Sequence, residues 1–132
     1  LVNDQKLILS ITENLSKSLI LAMDSILTYD RMYKRINIYP DDFNIKFEIF
    51  KNSCARRYNF DRKHVVIIED LKRLTDARKK SMMEFQRKDK YIFCNHDYEM
   101  KSITLDKLKN YINESKPFIE KVNQVLKNAT RF

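Results

Sequence analysis

Two cysteines and two histidines are the only side chains in this sequence that could bind zinc through thiolate and imidazole groups. Cys94 and His96 are separated by a single residue, whereas Cys54 and His64 lie far from them along the chain. Common structural zinc sites include a closely spaced pair of cysteines, which this sequence lacks. We therefore expect both thiols to be reduced and mostly buried, and we expect no metal site.

Other catalytic motifs are also missing. The chain contains no glycine. Phosphate-binding loops, dinucleotide-binding turns and nucleophile elbows need glycine where the backbone approaches a ligand or adopts a positive φ. The adjacent Asp41 and Asp42 follow Pro40, and this pattern is typical of a helix cap rather than of a catalytic pair. We expect a protein that is not an enzyme and that binds no cofactor and no small-molecule substrate.

Basic side chains are concentrated in one part of the chain. Residues 56–90 contain twelve lysines and arginines and six acidic residues, so this stretch carries +6 of the formal net charge of +8. Lysine and arginine neutralise phosphates and release counterions, which makes the stretch a candidate nucleic-acid-binding surface. The interspersed acids, such as Glu69 and Asp70, are equally compatible with an ordinary solvated exterior. The candidate DNA-binding residues are Arg62, Lys63, Lys72, Arg73, Arg78, Lys79, Lys80, Arg87, Lys88 and Lys90.

Three amphipathic helices are predicted from apolar residues that recur every three or four positions. They cover residues 4–34, 42–57 and 61–74. The predicted buried stripe of the first helix consists of Leu7, Ile8, Ile11, Leu15, Leu19, Met23, Ile26 and Leu27. Asp41 or Asp42 is expected to cap the second helix, and Asn59 or Asp61 the third, across a short turn at Tyr58–Asp61.

The apolar period changes after Thr75. Alternating residues predict two strands, at 81–86 and 90–95, that form a hairpin with a basic tip. Because glycine is absent, we expect Asp89 or a longer turn to reverse the chain. Thr104 is expected to cap a later helix, and the segment Ser115-Lys116-Pro117 predicts a break followed by a fresh helix.

The predicted fold class is mainly α with a small β-hairpin. A long N-terminal helix, a helix-turn-helix, a hairpin and a C-terminal helix or helix pair are typical of a winged helix-turn-helix (α+β) domain. In such a domain the third helix is available to a major groove. We expect residues 1–132 to form one domain of this kind. Because the chain begins at Leu1, we also expect it to be excised from a larger protein.

Residues 42–75 resemble the middle winged-helix domain of the eukaryotic DNA replication licensing factor. The likeness lies in the paired arginines Arg56 and Arg57 and in the aromatic, histidine and aliphatic positions that follow them. Those matching positions are Phe60, His64, Val65, Ile68 and Leu71. Members of this family help to load the MCM replicative helicase, and many are inhibited by geminin.

The resemblance implies a nuclear, non-catalytic adaptor of replication licensing and helicase loading. Its partners would be replication or chromatin proteins, among them the MCM helicase, with duplex DNA as a weaker contact. The first helix and the segment before Phe43 would then be the partner surface.

Two other functions fit the same sequence. A direct DNA-binding module of an initiator or transcription factor would use the basic stretch to bind duplex DNA. An all-helical protein-interaction domain would require residues 81–95 to be helical or irregular. No apolar run approaches the roughly 18 residues of a membrane span, so we expect no membrane contact.

Overall fold

A computed structural model describes the backbone of residues 2–129 and the side chains of residues 5–128. This part of the chain is mainly helical and contains a three-stranded antiparallel sheet. The helices are α1 (Val2–Met32), α2 (Phe43–Ile49), a π-helical segment (Phe50–Cys54), α3 (Ala55–Arg57), α4 (Arg62–Lys79) and α5 (Leu105–Ala129). The strands are β1 (Met83–Arg87), β2 (Lys90–Cys94) and β3 (Met100–Thr104), in the order β1–β2–β3.

The three predicted helical regions are confirmed, except that the second is not one regular α-helix, because the π-helical segment Phe50–Cys54 separates α2 from α3. Asp42 caps α2, because its carboxylate accepts a hydrogen bond of 3.1 Å from the backbone N–H of Ile45. Asp61 caps α4 in the same way through a bond of 3.0 Å from the N–H of Lys63. The predicted end of the third helix at residue 74 is too early, since α4 continues to Lys79.

The apolar stripe of α1 supplies one wall of the core. Leu19, Met23, Ile26 and Leu27 are at most 1% exposed. Leu7 is the error in the predicted stripe, because 58% of its surface is exposed. The neighbouring Ile8 and Leu9 are 8% and 2% exposed, so Leu7 lies on the outward side of α1 rather than beyond the end of its buried face.

The predicted hairpin is confirmed, and the all-helical alternative is wrong. Strands β1 and β2 pair antiparallel from Met83 opposite Cys94 to Arg87 opposite Lys90. Asp89 lies at the chain reversal as expected, but no longer turn is needed, because Lys88 and Asp89 form a two-residue turn in which Lys88 takes a positive φ of 57°. Strand β3 was not predicted, and it adds a second antiparallel ladder to β2.

The C-terminal helix is not broken at Ser115-Lys116-Pro117, as the sequence had predicted. Helix α5 runs without interruption from Leu105 to Ala129 and contains Pro117 in its interior. A proline there removes one backbone hydrogen bond. The flanking Ser115 and Phe118 are 6% and 1% exposed, so tertiary burial on both sides of the proline offsets that loss. The predicted cap is confirmed, since the hydroxyl of Thr104 accepts a hydrogen bond from the N–H of Lys107.

An aromatic cluster joins the π-helical segment and the turn before α4 to α5. The ring of Phe60 lies 5.5 Å from that of Phe50 and 5.3 Å from that of Phe118, measured between centroids. Phe50 belongs to the π-helical segment and is fully buried. These three rings fix the turn that precedes α4 against the rest of the core, and so they set where α4 begins.

Candidate functional site

The turn between α3 and α4 fixes the direction in which α4 leaves the core. Asn59 adopts a positive φ of 57°, a conformation that asparagine tolerates better than most residues. The next residue, Phe60, points into the core, and Asp61 then caps α4. The segment from α2 to α3 and the following α4 are therefore joined by a short, well-defined turn.

A buried carboxylate clamps this turn to α1. Asp30, at the C-terminal end of α1, has no exposed surface. It accepts hydrogen bonds from the guanidinium of Arg57 and from the hydroxyl of Tyr58, and Arg35 lies 3.5 Å away. Arg35 also donates to the Tyr58 hydroxyl at 2.9 Å. The paired arginine Arg57 that supports the family resemblance therefore has a structural role here.

One face of α4 points away from the molecule. Its inner side carries buried residues such as Ile68 and Leu71, which are at most 1% exposed. Residues spaced by three or four positions form the opposite, outward stripe. We call this the α4 face, and it consists of Arg62, Val66, Glu69, Arg73, Asp76 and Lys80. The α4 face thus holds three basic residues and two acidic residues.

Four of the ten candidate DNA-binding residues form ion pairs within the domain. Lys63 lies 3.4 Å from Glu114 of α5, and Lys72 lies 3.1 Å from Asp76. Arg73, on the α4 face, lies 3.4 Å from Glu69. Arg78 forms ion pairs with Glu13 of α1 and Glu84 of β1, and so it bridges the two elements. These pairs reduce the positive charge that is available to a ligand.

The remaining six candidates are exposed, but they do not form one surface. Arg62 and Lys80 lie on the α4 face, whereas Lys79 lies on the flank next to it. Arg87, Lys88 and Lys90 lie at the β1–β2 turn, at the far end of the hairpin from Lys80. The four steps of the ladder between these ends correspond to about 14 Å.

Two further basic residues that the site prediction omitted lie beside the α4 face. Arg56 lines a groove of about 540 Å³ between the α2–α3 segment and α4, together with Arg62. Lys101 of β3 lines a depression at the other end of α4, together with Arg73 and Lys80. Arg56 could have been included among the candidate DNA-binding residues, because it belongs to the basic stretch of residues 56–90. Lys101 could not, because its strand was not predicted.

The side chains that could act as a nucleophile or a base, Cys54 and His64, make structural contacts. Burial, and then the neighbouring Asp30 carboxylate, raise the pKa of the Cys54 thiol, which opposes formation of the reactive thiolate. His64 Nε2 lies 2.9 Å from a carboxylate oxygen of Glu114, and this bond, assisted by Lys63, lowers the pKa of Glu114. Residues 5–128, whose side chains are described, contain no group of three or more His, Cys, Asp or Glu side chains placed to hold a metal ion.

The chain was compared with protein-family models, curated proteins and solved structures. None of the three comparisons finds a match. In the described part of the chain, no helix combines the length and apolarity that a membrane crossing requires. The geometry and charge of the α4 face and its surroundings are therefore the features that bear on function.

Proposed function

We propose that this chain is a non-catalytic winged-helix adaptor that contacts the backbone of duplex DNA around α4 and holds a protein partner elsewhere. The order of a long helix, a helix-turn-helix and a hairpin supports the winged-helix part of the proposal. The resemblance of residues 42–75 to the replication licensing factor supports a role in helicase loading in the nucleus. On that basis the MCM helicase is the first candidate partner.

The observation that carries the proposal is a set of four basic side chains, two on the α4 face and two beside it. Arg56, Arg62, Lys80 and Lys101 form no ion pair with any described residue, so their charges are available to phosphates. Arg62 and Lys80 are separated by about 27 Å along the helix at 1.5 Å per residue. That distance corresponds to about eight base pairs at 3.4 Å each.

The acids on the α4 face argue against sequence-specific reading by α4. Glu69 and Asp76 lie between the two unpaired bases and neutralise Arg73 and Lys72, so the middle of the face offers no net positive charge to phosphates. Arg73, the basic residue in the middle of the face, is paired with Glu69. We therefore favour sequence-independent backbone contact over the alternative of a DNA-reading transcription factor module.

Fluorescence anisotropy with a short labelled duplex over a salt series tests this proposal. Four phosphate contacts predict a slope of about −3.6 in a plot of log affinity against log salt, from a value of about −0.9 per contact. The double variant Arg62→Glu/Lys80→Glu should roughly halve that slope and weaken binding by at least about tenfold at low salt. Duplexes of different sequence should bind equally.

The matched control is Lys6→Glu/Lys17→Glu on the exposed surface of α1. Each double variant changes two positive charges into two negative charges, so both lower the net charge by the same amount. The control should retain most of the affinity. Equal losses in both variants would show a nonspecific effect of net charge, and no binding at low salt would remove DNA from the proposal.

A further inference from the structure

The sheet has one buried face and one exposed face. In β2, Tyr91 and Phe93 are 5% and 3% exposed and point towards the helices, whereas the alternating Ile92 and Cys94 are only half-buried. Residues directly opposite each other in an antiparallel ladder share a face. The strand register therefore assigns the outer face its apolar members, which are Met83, Phe85, Ile92, Cys94 and Met100.

This outer sheet face is apolar and open to solvent. Met83 and Met100 flank Cys94 on either side, and they are 60% and 63% exposed. Helices α4 and α5 pack against the sheet through the opposite face, where Ile103 is 1% exposed. A contiguous exposed apolar surface costs solvation free energy and is typical of a protein-interaction site.

The same face is positively charged at one end. Arg87 and Lys90 are cross-strand partners on the outer face, and Lys88 lies in the turn between them. The acid of β1, Glu84, belongs to the inner face and bonds to Arg78. Asp89, in the turn, is the one nearby acid along the hairpin, so three bases outweigh it.

We propose that the outer sheet face docks an amphipathic acidic helix of a protein partner. Its apolar side covers Met83, Ile92 and Met100, and its acidic residues lie against Arg87 and Lys90. Methionine side chains are flexible and polarisable, so they adapt to the apolar side of such a helix. The inference names the partner chemistry of the adaptor and in that respect rests on the proposed function.

Charge distinguishes this occupant from a second copy of the chain. Two copies that meet through their outer faces would bring Arg87 and Lys90 of each molecule into one interface. The chain as a whole carries a formal net charge of +8, which adds long-range repulsion. An acidic partner is attracted by the same charges, so complementarity favours it over self-association.

Methionine-methyl NMR tests the proposal, because the chain carries its own reporters. The probe is a synthetic helical peptide of about four turns, with leucine on one side and glutamate on the other. We expect saturable shifts of the Met83 and Met100 methyl signals. Met32 is 73% exposed at the far end of α1 and Met23 is fully buried, so both should stay unchanged.

Two comparisons make the test specific. A peptide with lysine in place of glutamate should bind at least about tenfold more weakly, and Arg87→Glu/Lys90→Glu should weaken binding of the acidic peptide by a similar factor. Met100→Glu should abolish it, while the control Met32→Glu should not. If Met100→Glu fails to fold, the Arg87→Glu/Lys90→Glu variant still tests the site.

Several results would overturn the proposal. One is equal binding of the acidic and the lysine peptide, and another is a Met32 shift as large as those of Met83 and Met100. A third is a Met83 shift that depends on protein concentration in the absence of peptide, which would indicate self-association. Duplex DNA binding by Met100→Glu, measured in parallel, should equal that of the unmodified chain. Unchanged DNA binding by the Arg62→Glu/Lys80→Glu variant would count against the proposed function without affecting this peptide site.

Discussion

Replacing Asp30 by asparagine should destabilise the domain far more than an ordinary surface change. The substitution keeps the side-chain shape but removes the charge that faces Arg57 and Arg35. Breaking a fully buried ion pair typically costs about 3–5 kcal/mol. Here the arginine side chains are 34% and 37% exposed and keep part of their hydration, so we expect a smaller loss of about 2–3 kcal/mol.

Urea denaturation measures this loss directly as a lower midpoint with an unchanged slope. In thermal unfolding the same free energy corresponds to a decrease in Tm of roughly 6–12 °C for a domain of this size. The control is Asp41→Asn, which removes a carboxylate that is 97% exposed and pairs with Lys46 at 3.0 Å. It should change stability by less than about 0.5 kcal/mol. Equal effects of the two substitutions would refute the clamp.

Three further predictions concern stability. Burial, followed by the neighbouring Asp30, raises the pKa of Tyr58 to about 12. The protonated Tyr58 hydroxyl therefore stabilises the fold fully below about pH 10, and this stabilisation is lost as the pH rises towards 12. In denaturation curves recorded at a series of pH values, Tyr58→Phe should lose less free energy of unfolding between about pH 10 and 12 than the unmodified chain. The same loss in both proteins would contradict this. Lys88→Gly should raise the free energy of unfolding by up to about 1 kcal/mol, because glycine adopts a positive φ without strain; a decrease would contradict this reading of the turn. Pro117→Ala should raise the free energy of unfolding by at least about 1 kcal/mol, because alanine restores a backbone hydrogen bond in α5. A lower Tm would show that the proline is required.

Local patterns predicted the parts of the fold that depend on local chemistry. Helical spacing placed α1 and α4, and short acidic side chains before apolar runs identified the caps Asp42 and Asp61. Alternation of polar and apolar residues identified β1 and β2. These signals depend on neighbours in the chain, which is why one sequence was enough to read them.

Features that depend on distant contacts could not be read in the same way. Strand β3 pairs with β2 across a loop and has a single buried residue, Ile103, so its sequence shows no clear alternation. Pro117 looked like a helix break because the burial of Phe118 becomes visible only in three dimensions. The clamp at Asp30 joins residues 27 positions apart, and nothing in the sequence near Asp30 indicates a buried charge.

The candidate site was only partly predictable for the same reason. The basic stretch includes Arg62 and Lys80, on which the proposal depends, but the sequence could not show that Arg78 pairs with Glu13 and Glu84. It also could not show that the β-hairpin has an apolar outer face, because the face of each residue depends on the register and on which side the helices cover.

Backbone NMR of the isotope-labelled domain, titrated with a short DNA duplex at low salt, shows directly which residues contact DNA. We predict that the largest amide shifts fall along the α4 face and beside it, at Arg56, Arg62, Lys80 and Lys101, and that they are the same for duplexes of different sequence. Shifts that avoid α4, or that spread evenly over α1 and the rest of the surface, would contradict it.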